Sequence, residues 1–480
     1  MRKSALALAG LGIPVASVLG FAAWSGGEVL GALDEQTSKV ATLSPAFKVV
    51  ERKVDRGLFH STREVAVQLG CVPPGLRDGD AVEPIVLRWR DEIEHGPLPG
   101  ARRLGVAHVR SSLHLPAKVA EKLAPFLGKE PPLRTETTIS LTGALESTFE
   151  LSRVQFSDPA QGSFTTTPLR GTVRGPAHPG ATEARTYVTE IPSWEIDTRG
   201  PDGAHGAVHV DRTHYQVTMT RGADEASWVQ PMQARGTIGK LELSGSAPAE
   251  SGLASLRAVF DALAFESESR IEQGLWTNTS KVVTKGKVGD VSLDALELAT
   301  SMRRLHAATY QRFLSRMIDE ALRCDAAPRD PDAFFGESAR ELTSMLVHDP
   351  EYAVDKLAVE LGGKRAELSY SLGTKGVTKE DLDLPMLLVL QTKSVLAAKA
   401  RVHVGLLHEL ARKVGGAAAG GADPAELVAQ VDAAIAEFAG QGYVVREGEY
   451  VASAATFEGG ALKVNGVPLD LPATLPVPAR

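Results

Sequence analysis

Histidines, carboxylates and two cysteines are the residues of this 480-residue chain that could do chemistry. His205, His209 and His214 lie close enough in sequence to hold a zinc ion, but AVHVDRTHYQVTM reads as a strand, whose odd and even positions face opposite sides. His209 and His214 then diverge, and all three read as exposed strand histidines. Glu92, Glu94 and His95 gather two carboxylates and an imidazole before a turn. A cation could sit there, yet charges at a strand end ordinarily stay hydrated. Asp78 with Asp80, Asp330 with Asp332 and Asp381 with Asp383 are Asp-x-Asp pairs without the closing Glu of a calcium loop, and they read as loops. His403 and His408 fall on a predicted helix beside Leu406, Leu407 and Leu410, flanking a packed stripe. Asn278-Thr279-Ser280 spells a glycosylation sequon, which matters only in a host that glycosylates.

Nucleophile motifs add nothing. No G-x-S-x-G elbow, H-E-x-x-H helix or Walker loop occurs, and Gly10 and Gly12 lie in an apolar run that no strand precedes. The sequence therefore assigns no catalytic, cofactor-binding or metal residue and no cofactor. A hydrolase assembled from distant residues stands as the remote alternative to a non-enzymatic protein. Cys71 and Cys324 are too far apart for a zinc ribbon or a redox pair. They read as two separate buried thiols, with one disulfide as the alternative that an exported location permits.

The elements that must position these residues begin with the N terminus. Arg2 and Lys3 precede a run from Ser4 to Trp24 that holds no charged residue, and Glu28, Asp34 and Glu35 are among the first charges after it. Such a run suits a transmembrane helix whose basic end stays cytoplasmic, which exports the remaining chain. A signal peptide is the rival reading, but the run continues to an interfacial Trp24, and a retained anchor is preferred. Net charge is -7 and aromatics make up 5% of the chain, which argues against nucleic acid as a partner and for an ordinary folded body.

After a helical exit at Gly31 to Lys39, Phe47 to Gly70 alternates with period two in its parts, at Phe47 and Val49 and again at Val65, Val67 and Leu69, and breaks into a hairpin at Arg56-Gly57. Pro84 to Glu94 and Arg103 to Leu115 repeat the pattern around His95 to Gly100. Pro116 to Leu127 reads as a short helix and Thr135 to Phe156 as strand, and Ser157 to Ser246 reads as long antiparallel sheet. Helical spacing is expected over Pro248 to Leu263, Val291 to Arg323, Asp332 to Leu346 and Leu384 to Val414. A hairpin around Gly362-Gly363 interrupts them. A Gly/Ala linker at Gly415 to Pro424, a helix at Pro424 to Phe438 and a hairpin or meander from Tyr443 to Val464 close the chain. The expected class is α+β: an N-terminal transmembrane helix, then long antiparallel sheet, with helices concentrated in the C-terminal half. The regions are drawn at 1–30, 31–156, 157–246, 247–414 and 415–480.

Three stretches carry a resemblance: RGLFHST at Arg56 to Thr62, IEHGPLP at Ile93 to Pro99, and GYVVREGEYVASAATFEGGALKVNGVPL at the end. With the N-terminal run, they resemble the YdgA-like family of bacterial envelope proteins of uncharacterised function. The resemblance implies inner-membrane anchoring with a periplasmic body. Chemically the motifs read as structure: Arg-Gly-Leu-Phe bends a strand, His-Gly-Pro turns, and Asn465-Gly466 closes a hairpin. The expected function is a non-enzymatic protein, held in the cytoplasmic membrane through Ser4 to Trp24, whose sheet offers a surface or groove to a lipid or an envelope protein. A scaffold or homodimer is the alternative.

Overall fold

The computed structural model describes residues 2–42, 44, 46–71, 84–101, 104–128, 130–158, 162–177, 183–200, 203–220, 228–246, 255–322, 324, 331–412 and 423–469, with side chains of the first helix described from Ser17. Two units emerge. The first comprises Met1–Gly239, Leu243–Ser255 and Gln311–Phe334; the second comprises Lys240–Glu242, Leu256–Tyr310 and Phe335–Arg480.

In the first unit, helix α1 (Arg2–Thr42) precedes the strands β1 (Phe47–Arg56), β2 (His60–Cys71), β3 (Pro84–His95) and β4 (Ala107–His114). After α2 (Ala117–Leu127) come β5 (Leu133–Ile139), β6 (Ala144–Leu151), β7 (Gln155–Asp158), β8 (Gly162–Thr166), β9 (Leu169–Pro176), β10 (Ala184–Arg199), β11 (His205–Thr220) and β12 (Met232–Ser246). Antiparallel pairing runs β1, β2, β3, β4, β5, β6, β9, β10, β11. The long strand β10 has room for β8 beside β9 on one edge, and β7 adds to β8.

Because residues directly opposite each other share a face, the registers sort the side chains. One face of β4, β5, β6, β9 and β10 carries Val109, Thr137, Ser147, Val173 and Tyr187 in one row, with Ser111, Thr135, Phe149, Gly171 and Thr189 in the next. The other carries Arg134, Glu150, Arg170 and Glu190, continued by His214 on β11. Period-two alternation thus gives an apolar-and-hydroxyl face and a face of alternating charge.

The second unit is another meander, β13 (Leu256–Glu272), β14 (Leu275–Val288), β15 (Val291–His306), β16 (Glu351–Leu361), β17 (Lys364–Thr374), β18 (Ser394–His403) and β20 (Tyr450–Glu458). Short strands β19 (Val445–Glu447) and β21 (Ala461–Val464) pair with β20, and β22 (Val467–Leu469) with β21. The remaining helices are α3 (Ala307–Leu322), α4 (Pro331–Ser344), α5 (Met386–Lys393), α6 (Val404–Leu410) and α7 (Pro424–Gly440). Asp423 caps α7 by accepting from the Ala425 amide. The Gly362-Gly363 hairpin stands, both glycines having positive φ as a primed turn requires.

Three expectations change. Of the stretches read as helical over Pro248 to Leu263 and Val291 to Arg323, residues 256–263 and 291–306 belong to strands β13 and β15, helix holds from Ala307 to Leu322, and residues 248–254 lie outside the described residues. Leu293, Leu296, Leu298, Met302 and Leu305 therefore line a strand that register shifts interrupt, so their spacing mimics a helical stripe. Leu384 to Val414 divides into α5, β18 and α6, because Ser394 turns extended after Lys393. Finally, α1 is one helix through Thr42, and its described part, from Ser17, is not a membrane span; no described helix is long and apolar enough to cross one. The side chains of residues 1–16, most of the run read as an anchor, lie outside the described residues.

Candidate functional site

From Ala22 onward α1 lies on β1 to β4. Ala22, Ser25, Gly26, Val29 and Leu30 are buried, a spacing of three and four that puts them on one helical face. Val29 and Leu30 join Ile93, Ala107 and Val109 in one core cluster, with Leu33, Val106 and Ile139 packed against it. The expected span to Trp24 is thereby corrected: Ala22 is fully buried against protein, so the segment free of the sheet ends before it.

Two of the three motifs build this seat. His95, at the end of β3, bonds the Ala22 carbonyl through Nδ1 at 3.0 Å and Ser61 Oγ through Nε2 at 3.0 Å. A carbonyl only accepts, so Nδ1 carries the proton and Ser61 donates to Nε2, which fixes the neutral tautomer. Arg56 donates to the Ala23 carbonyl at 2.6 Å. Gly26 is where the helix passes the imidazole: a Cβ there would lie 2.6 Å from His95 Cε1, closer than atoms tolerate. Gly96 turns the chain at φ 111°, conformational space that glycine enters freely.

About two turns further along α1, Arg63 is buried and uses four of its five N–H donors. Its Nη1 donates to Asp91 Oδ2 at 2.7 Å and its Nε to Asp34 Oδ1 at 2.9 Å. Nη2 reaches the Leu33 carbonyl at 3.1 Å and Thr37 Oγ1 at 2.6 Å. Asp34 also pairs with Arg52. The planar guanidinium thus ties β2 to β3 and to α1 through separate donors.

At the far end of β2, Cys71 and Cys324 form a disulfide with Cα atoms 4.9 Å apart, overturning the reading as two separate thiols. The bridge fastens the segment after α3 to the sheet, and Ser44 donates to Asp319 of α3 beside it.

Burial pushes the His95 pKa below its ordinary value; the Ala22 bond opposes this, and Arg56 and His60 reinforce it. A histidine depressed on folding binds fewer protons folded than unfolded, so its stabilisation is full above the unfolded pKa of about 6.5 and is lost as pH falls through the folded value. The wild-type melting temperature is expected to fall on acidification below pH 6.5 more steeply than that of His95→Gln. Parallel curves for the two proteins would contradict the assignment.

The other residues with chemical reach stay apart. Glu92 and Glu94 point to the charged face, where Arg90 and Arg110 meet them, and His95 points to α1. His205, His209 and His214 each take their own carboxylate: Asp197, Asp211 and Glu190. His403 ends β18 and caps α6 by accepting from the Gly405 amide; His408 pairs with Asp432. Asp381 accepts from the Thr378 amide and pairs with Lys393 in a 3-10 turn, and that turn also holds Asp383. Asn278 lies mid-strand and donates to Ser267 Oγ, unlike an acceptor loop. Asp78, Asp80 and Asp330 lie outside the described residues, as does the side chain of Asp332. Among the described residues no three of His, Cys, Asp and Glu gather as a metal site.

A second feature is a concavity of about 660 Å³ over the charged face of β3 to β10, lined by Arg110, Arg134, Glu136, Glu150, Arg170 and Glu190 among others. The pairs Arg170–Glu150 and Arg174–Glu146, each 2.9 Å, cross the same strands. The third motif is built separately: Asn465 and Gly466 both have positive φ, Asn465 Oδ1 accepts from the Ala454 amide at 2.8 Å, and its Nδ2 donates to the Gly442 carbonyl at 3.0 Å. Sequence reasoning saw the motifs as turns and missed the helix they hold. The available signal was the small and apolar spacing Ala22, Ser25, Gly26, Val29, Leu30.

Residues 1–472 match the family described as bacterial protein of unknown function (DUF945), and the chain belongs to that family. No curated protein and no solved structure matches it.

Proposed function

We propose that this member of the DUF945 family is a non-enzymatic binding protein of the bacterial envelope, held at the cytoplasmic membrane by its N-terminal helix and presenting the charged face of its first unit to a protein partner. The observation that carries the reading is the seat of α1: the motifs together with Arg63 fix Ala22 to Thr37 on the sheet and leave the uncharged run ahead of them to meet the membrane. Residues 4–21, as a helix rising 1.5 Å per residue, would cover roughly 27 Å, near the thickness of a bilayer core. The Cys71–Cys324 bridge fits an oxidising compartment, and Arg2 and Lys3 fit a cytoplasmic N terminus. The likeness to YdgA-like envelope proteins agrees.

A partner with both signs of charge suits the concavity better than an acyl chain does. Exposed ion pairs such as Arg170–Glu150 are worth about 0–1 kcal/mol, so exchanging them for pairs with a polypeptide costs little. A photo-crosslinking residue at Thr148 or Thr172, both on the charged face, is expected to yield protein adducts in intact envelopes; Arg134→Glu with Arg170→Glu should remove them. Adducts of equal yield from Thr137, on the opposite face and outside the lining of the concavity, would contradict the reading.

One observation favours a lipid instead: Tyr352, Leu368 and Leu372 stand exposed on β16 and β17 of the second unit. Phospholipid retained by the purified chain in native mass spectrometry, lost in Leu368→Asp, would support that alternative.

A further inference from the structure

The strand registers place three turns of the first unit at one end. Arg56 pairs with Ser61, His95 with Ala107 and Ile139 with Leu145, and β2 to β5 align these residues across the sheet. The β1–β2, β3–β4 and β5–β6 turns therefore sit side by side. Each exposes bulky apolar side chains: Leu58 and Phe59, Leu98 and Leu104, and Leu141, with Leu104 as much as 68% exposed. Such side chains concentrated on successive turns are the reverse of what a solvated end requires. Toward the opposite end of these strands the described residues expose Leu151 and, on β1, the smaller Val49 and Val50.

Helix α1 supplies the continuity. Ala22 and Ala23 bond to His95 and Arg56 at this same end, and the chain from Ala22 to Asp34 runs away from it along the sheet. Residues before Ala22 thus leave the sheet beside the turns, with Trp24 exposed next to them. Charge agrees: the stretches 57–59, 96–106 and 140–143 contain no Asp or Glu, the Glu94 carboxylate that reaches Gly100 is paired with Arg110, and the second stretch carries in sequence Arg102 and Arg103, which lie outside the described residues. Apolar side chains with arginines and no acidic residues suit the interface of an anionic bilayer.

We propose that this end of the first unit is a membrane-seating collar, with Leu58, Phe59, Leu98, Leu104 and Leu141 inserted into the phospholipid interface around the emerging helix. The collar rests on the anchoring reading and adds to it. An anchor alone tethers the body on a pivot; a collar of three turns fixes the tilt of the sheet against the membrane.

The test uses the full chain in vesicles of phosphatidylethanolamine and phosphatidylglycerol that contain a phospholipid with a photoactivatable acyl chain. Labelled peptides are located by mass spectrometry. The collar predicts labels in 57–60, 97–105 and 140–143 as well as in 4–21, and a several-fold fall at 57–60 in Leu98→Asp with Leu104→Asp. Labels confined to 4–21 overturn the collar and leave the anchor standing. No lipid labels anywhere overturn both, and crosslinks between copies through these turns would assign the surface to self-association instead.

Discussion

Replacing Arg63 by alanine is expected to destabilise the first unit by about 3–5 kcal/mol, the cost of removing one partner of a buried ion pair. The arginine and Asp91 side chains are only 4% and 2% exposed, so water cannot replace the guanidinium. Asp34, Thr37 and the Leu33 carbonyl on α1 lose their bonds from Arg63 in the same step, Asp34 keeping Arg52 and the Leu33 carbonyl keeping the Thr37 hydroxyl. Domains are stable by only about 5–15 kcal/mol, so a change of this size takes a large part of the reserve. A chemical denaturation midpoint measures it. The control is Arg63→Met with Asp91→Leu: if desolvation of an unpaired Asp91 dominates, the double variant recovers most of the loss. A double variant as unstable as Arg63→Ala would show that the bonds to α1 matter more than the buried charge.

Loss of the disulfide is the second large effect. The bridge joins residues 253 positions apart, and closing so long a loop restricts the unfolded chain strongly. The chain-entropy limit for that length is about 5.5 kcal/mol, just above the roughly 2–5 kcal/mol that removal of a native bridge costs. Cys71→Ala with Cys324→Ala should therefore lower the unfolding midpoint of the first unit markedly, and reductant should reproduce the shift in the wild type and do nothing to the variant. Because Cys71 is buried, reduction is expected to need partial unfolding first. Equal midpoints with and without reductant would contradict a stabilising bridge.

Both effects depend on partners that local pattern does not reveal. Asp34 reads in sequence as a first charge beyond a membrane segment, but it is a ligand of Arg63, which lies 29 residues later. His95 reads as part of a charged strand end; its partners Ser61 and Ala22 are 34 and 73 residues away. The antiparallel sheet was legible where alternation held, as in Val65, Val67 and Leu69 of β2 and in β10 and β11. It was illegible in β15, where register shifts opposite β14 and β16 displace the alternation and leave Leu293, Leu296, Met302 and Leu305 at intervals of three to six. The disulfide was undecidable because spacing says nothing of whether two distant cysteines meet. The motifs themselves were readable as turns. Their common role was not, because it lies in what the turns enclose.

The seat of α1 implies that Ala22 to Thr37 and strands β2 and β3 open as one cooperative element. Hydrogen exchange on the full chain tests it most directly, since opening together gives equal protection and independent opening does not. Amides of 26–37 should exchange as slowly as those of β2 and β3, and in Arg63→Ala both sets should accelerate together. Fast exchange in 26–37 beside a protected β2 and β3 would show a helix merely resting on the sheet and would contradict the account.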